Sequence, residues 1–181
     1  MADRTDSNDR TRLNFLEKGI AQIALVVKDL EKTVEQYYET FGIGPWHFYT
    51  YGKPLVRHMS RNGCPTEYKM RVALSYLGPL RIELIEQLEG DTVYKDFIEK
   101  HGYGVHHVGV LVDDMENALD RARTAGFQMT MDGVGFGADG DGHYAYLDTE
   151  RSIGMTIELI SRPDRRHQPE KTFPDDGDEY H

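Results

Sequence analysis

Cysteine is almost missing from this chain: Cys64 stands alone, so no disulfide can close within it. A lone thiol without a catalytic partner reads as an ordinary one and fits a reducing, cytoplasmic setting. Long hydrophobic runs are missing too. Nothing approaches the roughly 18 consecutive apolar residues of a membrane-spanning helix, and Met1 to Arg12 lacks the apolar core of a secretory signal. Positive charge is scarce, with 21 Lys and Arg against 31 Asp and Glu and a net charge of −10. Nucleic acid and anionic membrane are held by clustered Lys and Arg, so neither is expected as a partner. The main basic concentration is Arg57, His58, Arg61, Lys69 and Arg71, which fits either the phosphates of a coenzyme A substrate or a solvated face.

What the chain has instead is repetition. Gly19-Ile20-Ala21-Gln22-Ile23-Ala24-Leu25-Val26-Val27-Lys28-Asp29 is echoed by Gly104-Val105-His106-His107-Val108-Gly109-Val110-Leu111-Val112-Asp113-Asp114, with His107 falling 85 positions after Gln22. Ile82-Glu83-Leu84-Ile85 recurs letter for letter as Ile157-Glu158-Leu159-Ile160. Each half therefore opens on a Gln- or His-bearing strand and closes on a Glu-bearing one.

The apolar runs, caps and turn signals between these markers predict β-α-β-β-β twice over. Asp29 and Asp114 are N-cap types and Gly42 and Gly126 are stops. The segments are a polar N-terminal stretch 1–18, a first module 19–89, a linker helix within 90–103, a second module 104–162 and a flexible acidic tail 163–181. Lys53 to Thr66, with the Asn62-Gly63 turn signal, reads as a loop or an irregular hairpin, and 132–142 reads as a loop. Gly135-Phe136-Gly137-Ala138-Asp139-Gly140 satisfies G-x-G-x-x-G in letters only, because a strand rather than a helix follows it. Asp139-Gly140-Asp141-Gly142 lacks the twelve-position calcium loop.

Strand side chains alternate between faces. Ile23, Leu25 and Val27 fall on one face, as do Val108, Val110 and Val112, and these suit packing against helices. Gln22 and His107 fall on the opposite face, each followed on that face by a small residue (Ala24, Gly109). The same parity separates Glu83 from Ile82 and Leu84, and Glu158 from Ile157 and Leu159. His106 is assigned to the helix side as a structural histidine, and Arg81 to the face opposite Glu83. If the halves pair, Gln22, Glu83, His107 and Glu158 converge on one concave surface. Two inward carboxylates disfavour folding unless protonated, paired or metal-bound, which points to a divalent cation. The aromatic group Trp46, Phe48, Tyr49, Tyr51, Tyr68 and Tyr76 suits sheet packing or the wall of a pocket.

These repeated strands, with Gln22, Glu83, His107 and Glu158 at their polar positions, resemble the vicinal oxygen chelate superfamily, which includes glyoxalase I, methylmalonyl-CoA epimerase, extradiol dioxygenases and bleomycin-binding proteins. The resemblance spans about Gly19 to Arg162. It implies an α+β fold of two βαβββ modules pairing into a cupped mixed sheet around a divalent metal (Co, Mn, Zn or Fe, with Mg also compatible) held by those four residues. The order Gln-Glu-His-Glu is similar to the animal glyoxalase I ligand set. The text around His106-His107 and Gly78-Pro79-Leu80-Arg81-Ile82-Glu83-Leu84-Ile85 is closer to methylmalonyl-CoA epimerases, which usually have His where this chain has Gln22.

One histidine among four donors does not suit the two-His, one-carboxylate iron site of an oxygenase. The resemblance implies an isomerase, an epimerase or racemase moving a proton at a carbon beside a metal-polarised carbonyl, with an acyl-CoA or an aromatic ketone as substrate. Glu158 is the implied metal-edge base. Glu67, at a strand entry, and His143, by residue type, are candidates for the second acid/base. A glyoxalase I-like lyase and a non-catalytic sequestering or resistance protein are the alternatives, and a homodimer is the expected assembly.

Overall fold

The structure, a computed structural model, describes residues 12–175. After a short 3-10 turn, Phe15–Lys18, the chain forms β1 (Gln22–Val26), α1 (Leu30–Phe41), β2 (Trp46–Tyr51), β3 (His58–Arg61), β4 (Cys64–Pro65), β5 (Lys69–Leu77) and β6 (Leu80–Glu89). The helix α2 (Val93–His101) leads into β7 (Gly104–Leu111), α3 (Met115–Thr124), β8 (Met129–Phe136), β9 (Gly142–Leu147), α4 (Glu150–Ile153), β10 (Thr156–Ser161) and β11 (Lys171–Phe173). Among the described residues no helix is long and apolar enough to cross a membrane.

The caps act locally as the residue types dictate. Asp29 accepts from the Lys32 backbone N–H at 3.1 Å, and Asp114 accepts from Asn117 at 3.0 Å. Each satisfies an N–H that the helix cannot pair, and such a cap contributes about 1 kcal/mol. Gly42 ends α1 at a φ of 67°, a left-handed conformation that costs glycine nothing.

All eleven strands join one curled mixed sheet in the order β11-β2-β5-β6-β1-β7-β10-β9-β8-β3-β4. The seam is the antiparallel pair β1–β7, flanked on each side by a parallel neighbour, β6 or β10. The central order is thus β2-β5-β6-β1 met by its mirror image β7-β10-β9-β8, the expected pairing of two βαβββ units. Ile23, Leu25 and Val27 pack with Ile82 and Leu84 under Leu30 and Val34 of α1. Val108, Val110 and Val112 pack with Ile157 and Leu159 under Met115 and Ala118 of α3. The other face holds Ala24, Val26, Ile85 and a group of tyrosines, and Val93 and Tyr94 of α2 close over one end of it.

Two sequence expectations need correction, and a third is borne out with an addition. The stretch 132–142 is not all loop, because β8 runs on to Phe136 as an alternating ladder against β9. The tail 163–181 is not simply flexible: Lys171, Thr172 and Phe173 pair with Phe48, His47 and Trp46, which makes β11 an edge strand of the first half. Residues 176–181, like 1–11 of the N-terminal segment, lie outside the described residues. Finally, 53–66 forms the irregular hairpin β3–β4, but β3 pairs with β8, across the molecule from its own module. The outer edge of each half is therefore covered by a strand from the other half of the chain, which leaves only the short strands β11 and β4 at the edges of the sheet.

Candidate functional site

Register brings the polar positions together before any side chain is considered. Gln22 faces Arg81 on β6 and Gly109 on β7, while Gly109 faces Glu158 on β10. A side chain at 109 would collide with this arrangement, since a Cβ there would lie 3.0 Å from the Gln22 Cβ and 3.1 Å from Glu158 Oε2. Glycine at this position is what lets a carboxylate and an amide meet over the seam.

The side chains then converge. Gln22 Nε2 donates to Glu83 Oε2 at 2.7 Å and to Glu158 Oε2 at 3.0 Å. His107 Nε2 lies 3.2 Å from Glu158 Oε2 and 3.6 Å from Glu83 Oε2. Among the described residues no Lys or Arg forms an ion pair with either carboxylate. Burial and the neighbouring Glu158 push the Glu83 carboxyl up to about 7, against the opposing pull of His107, Arg81 and Arg166. A cation between the carboxylates would remove that conflict. Glu83, His107 and Glu158 each present one ligand atom, all within 4.8 Å of one another. Two carboxylate oxygens and one imidazole nitrogen suit manganese, iron, cobalt or zinc.

Gln22 takes a different part from the one its strand position implies. Its carbonyl oxygen accepts from Arg81 Nε at 2.5 Å, so it offers the site N–H groups rather than a lone pair. It can serve as a fourth ligand only by turning its amide over and leaving Arg81. Arg81 is also not on the opposite face from Glu83, as the sequence reading had it. Two residues apart on one strand, the two side chains share a face.

His106 shows a second limit of simple alternation. Ala24 pairs with His107 and Leu25 with Val105, so β7 bulges at His106. Both histidine rings consequently touch Tyr146, and His106 also packs on Tyr94 and Phe97 of α2. Its Nδ1 lies 2.9 Å from His107 Nδ1. Burial, then the charge of His107, hold the His106 imidazole well below its usual value and thus neutral. A neutral His106 can accept the His107 Nδ1 proton and so direct the Nε2 lone pair toward the carboxylates.

Glu158 has a further donor, the Tyr146 hydroxyl at 2.9 Å from Oε1, and Tyr146 in turn meets Tyr94 at 2.6 Å. Burial raises both phenols well above the usual value, so both stay protonated. The other two sequence candidates lie elsewhere. Glu67 is at the surface, paired with Lys53, and His143 sits beside Asp132, its Nε2 3.3 Å from Oδ2. Neither lines the cavity over the carboxylates. His143 is one residue from Tyr144 on β9, and alternation turns it away.

That cavity is open at its mouth. Tyr49, Tyr51, Phe136, Tyr144 and Tyr146 form its walls. Both readings of the aromatic group hold in part: Trp46 and Phe48 are core under α1, while Tyr49 and Tyr51, of opposite parity, face the cavity. Sequence reasoning missed Phe136, Tyr144 and Tyr146, although the spacing of Tyr144 and Tyr146 on a strand beside Glu158 was a usable signal. The basic residues it singled out do not line the cavity. Arg61 pairs with Asp96, Lys69 with Glu89 and Arg71 with Glu31. The glycine run is a close-packing device, since a Cβ at Gly137 would lie 2.3 Å from the Pro163 Cβ.

A curled sheet built from two βαβββ halves, with a metal-capable Glu-His-Glu group in its cup, defines a class of protein. The chain belongs to the Glyoxalase/Bleomycin resistance protein/Dioxygenase superfamily, whose family model matches residues 21–146. A curated relative, the uncharacterized protein YqjC of Bacillus subtilis (strain 168), is 29% identical over 101 residues, which cover 56% of this chain and 71% of YqjC. Among solved structures, the hypothetical protein BH1468 from Bacillus halodurans C-125 matches with a TM-score of 0.57 at 21% identity, covering 82% of this chain and 97% of that one. Methylmalonyl-CoA epimerase from Mycobacterium tuberculosis matches with a TM-score of 0.55 at 20% identity, covering 80% and 89%. At these identities the structural matches speak to the fold.

Proposed function

We propose that this protein is a metal-dependent isomerase, an epimerase or racemase that moves a proton at a carbon beside a carbonyl. The observation that carries the reading is the pair of carboxylates, one from each half, facing the same histidine nitrogen at the floor of an aromatic-walled cavity. Glu83, His107 and Glu158 would hold the divalent cation, and Gln22 would complete the set if its amide turned. Bound there, the cation supplies Lewis acidity to a carbonyl oxygen and lowers the cost of removing the adjacent proton.

The protein's own groups do the rest. Glu158 takes the proton at Oε2, its other oxygen held by Tyr146. Glu83, the carboxyl contributed by the other half of the sheet, is the candidate to return the proton. This assignment replaces Glu67 and His143, which lie outside the cavity. The tyrosines and Phe136 position an apolar or aromatic body and keep water from the carbanion. The likeness to an epimerase supports an acyl-CoA substrate, the aromatic walls an aromatic ketone, superfamily resemblance a homodimer, and the lone Cys64 a cytoplasmic setting, the last two checked by sedimentation velocity and by fractionation.

The direct test is exchange in D2O with a panel of 2-methylacyl-CoA thioesters and aromatic ketones. Deuterium entering the carbon beside the carbonyl, abolished by chelator and restored by Mn, Co or Zn, is the expected result. Exchange that survives complete metal removal sinks the metal mechanism. Net conversion of a thiohemiacetal would favour a lyase, and tight binding without exchange would favour sequestration.

A further inference from the structure

Resting on the reading of this cavity as the reaction site, we propose that Arg81, Arg162 and Arg166 form an anion subsite beside the carboxylates. The substrate is then a carbonyl compound with an aromatic or apolar body that carries its own carboxylate. The acidic chain makes this arrangement unexpected. Of its 21 Lys and Arg, three meet at the mouth of one cavity, and none of the three has an ion pair among the described residues.

Arg81 is the built part of the subsite. It is 7% exposed, and its only side-chain hydrogen bond among the described residues runs from Nε to Gln22. Among the described residues its two terminal nitrogens have no hydrogen-bond partner and are not sealed from solvent, and Arg81 lines the cavity. A guanidinium with one edge fixed and its remaining donors free matches a carboxylate's two oxygens.

Arg162 and Arg166 come from the strap between β10 and β11, which crosses from one half of the molecule to the other. The strap is anchored along its length. Pro163 closes on Gly137, Arg165 accepts from Ala138 N at 2.9 Å, and its guanidinium pairs with Asp139. Asp164 N donates to Asp141 Oδ2 at 2.9 Å, and at the far end Glu170 accepts from Thr50 N at 2.8 Å. Arg165 is thus spent on holding the strap, while Arg162 and Arg166 line the cavity. Burial, then the charges of Arg81 and Arg166, hold the Arg162 guanidinium below its usual value. Three guanidiniums that repel one another and have no direct ion pair among the described residues are relieved by a bound anion, and the aromatic walls supply the rest of the grip.

The test is titration calorimetry on the full chain, metal-loaded and chelator-treated, with three probes: 3-benzoylpropionate, its methyl ester and coenzyme A. The acid is expected to bind about tenfold more tightly than the ester, the gain of one charge-assisted contact. The double variant R162A/R166A should lose most of that preference, Arg81 retaining the remainder, and keep the affinity for the ester. Equal binding of acid and ester to the unaltered protein overturns the subsite, as does a preference undiminished in the double variant. Coenzyme A binding more tightly than the acid, through the same arginines, overturns the assignment to a small carboxylate. Because the acid–ester difference is read with and without metal, it stands or falls apart from the metal mechanism, which the exchange assay reports.

Discussion

The two halves share a backbone plan and differ in how each treats its carboxylate. Glu158 is paired across the ladder with Tyr146, whose hydroxyl it accepts, whereas Glu83 is paired with Leu74, which has nothing to donate. His107 is backed by His106, while the matching position before Gln22 is Ala21. On the Glu-bearing strands, Arg81 enters the cup and its counterpart Thr156 does not line it. The second half therefore presents a carboxylate and an imidazole that are both oriented by partners. The first presents a carboxyl raised by burial, an amide and a cation. A duplicated scaffold has thus been divided into a carboxylate held by a phenol and a carboxyl raised by burial.

The largest effect expected from breaking this asymmetry is at Glu158. Glu158→Gln should lower the D2O exchange rate by about 10²–10⁴-fold, the usual worth of a positioned base. A residual rate within a few-fold of the unaltered protein would assign the base elsewhere. Tyr146→Phe removes the hydroxyl that only the second half has. It should weaken metal binding by about 10–100-fold, read by competition with a chelating dye, while Leu74→Met on the other side should leave it unchanged.

The small residues beside the ligands offer a mirrored pair. Gly109→Ala crowds Glu158 and Gln22 and should cost about 1–3 kcal/mol in urea unfolding, whereas the converse change Ala24→Gly should cost about 1 kcal/mol. Similar costs for both would show that the seam tolerates a Cβ on either side.

A further break in the symmetry is the pH dependence of the metal-free protein. The folded Glu83 carboxyl, at about 7 against 4.5 unfolded, holds its proton more tightly in the native state. Its stabilising contribution is complete below about 4.5 and is lost as pH rises through about 7. Melting temperature should therefore fall across that window, and Glu83→Gln should flatten the fall. A melting temperature that rises across the window in the unaltered protein and not in the variant would contradict it.

Much of the site was legible beforehand because alternation and repetition act together. One polar residue in an apolar strand is ambiguous, but Gln22 and His107, Glu83 and Glu158, recur at matched positions, and parity sends all four to one face. The same rule, applied two residues further back, would have placed Arg81 in the cup. His106 escaped it because a bulge inserts one residue where local sequence has no marker. Glu67 was chosen for its place at a strand entry, and only the turn of the chain shows that it ends at the surface beside Lys53.

By itself the sequence determined the two βαβββ units, their caps, the faces of their strands and the four polar positions of the cup. Each follows from interactions between residues a few positions apart, whose periodicity is written in the chain. The tertiary structure alone decided that β3 covers the opposite half, that the supposed tail becomes β11, and that the strap carries Arg162 and Arg166 to the cavity mouth. Pairing between distant edges depends on which backbone groups are left open after the core has formed, and no local pattern announces that.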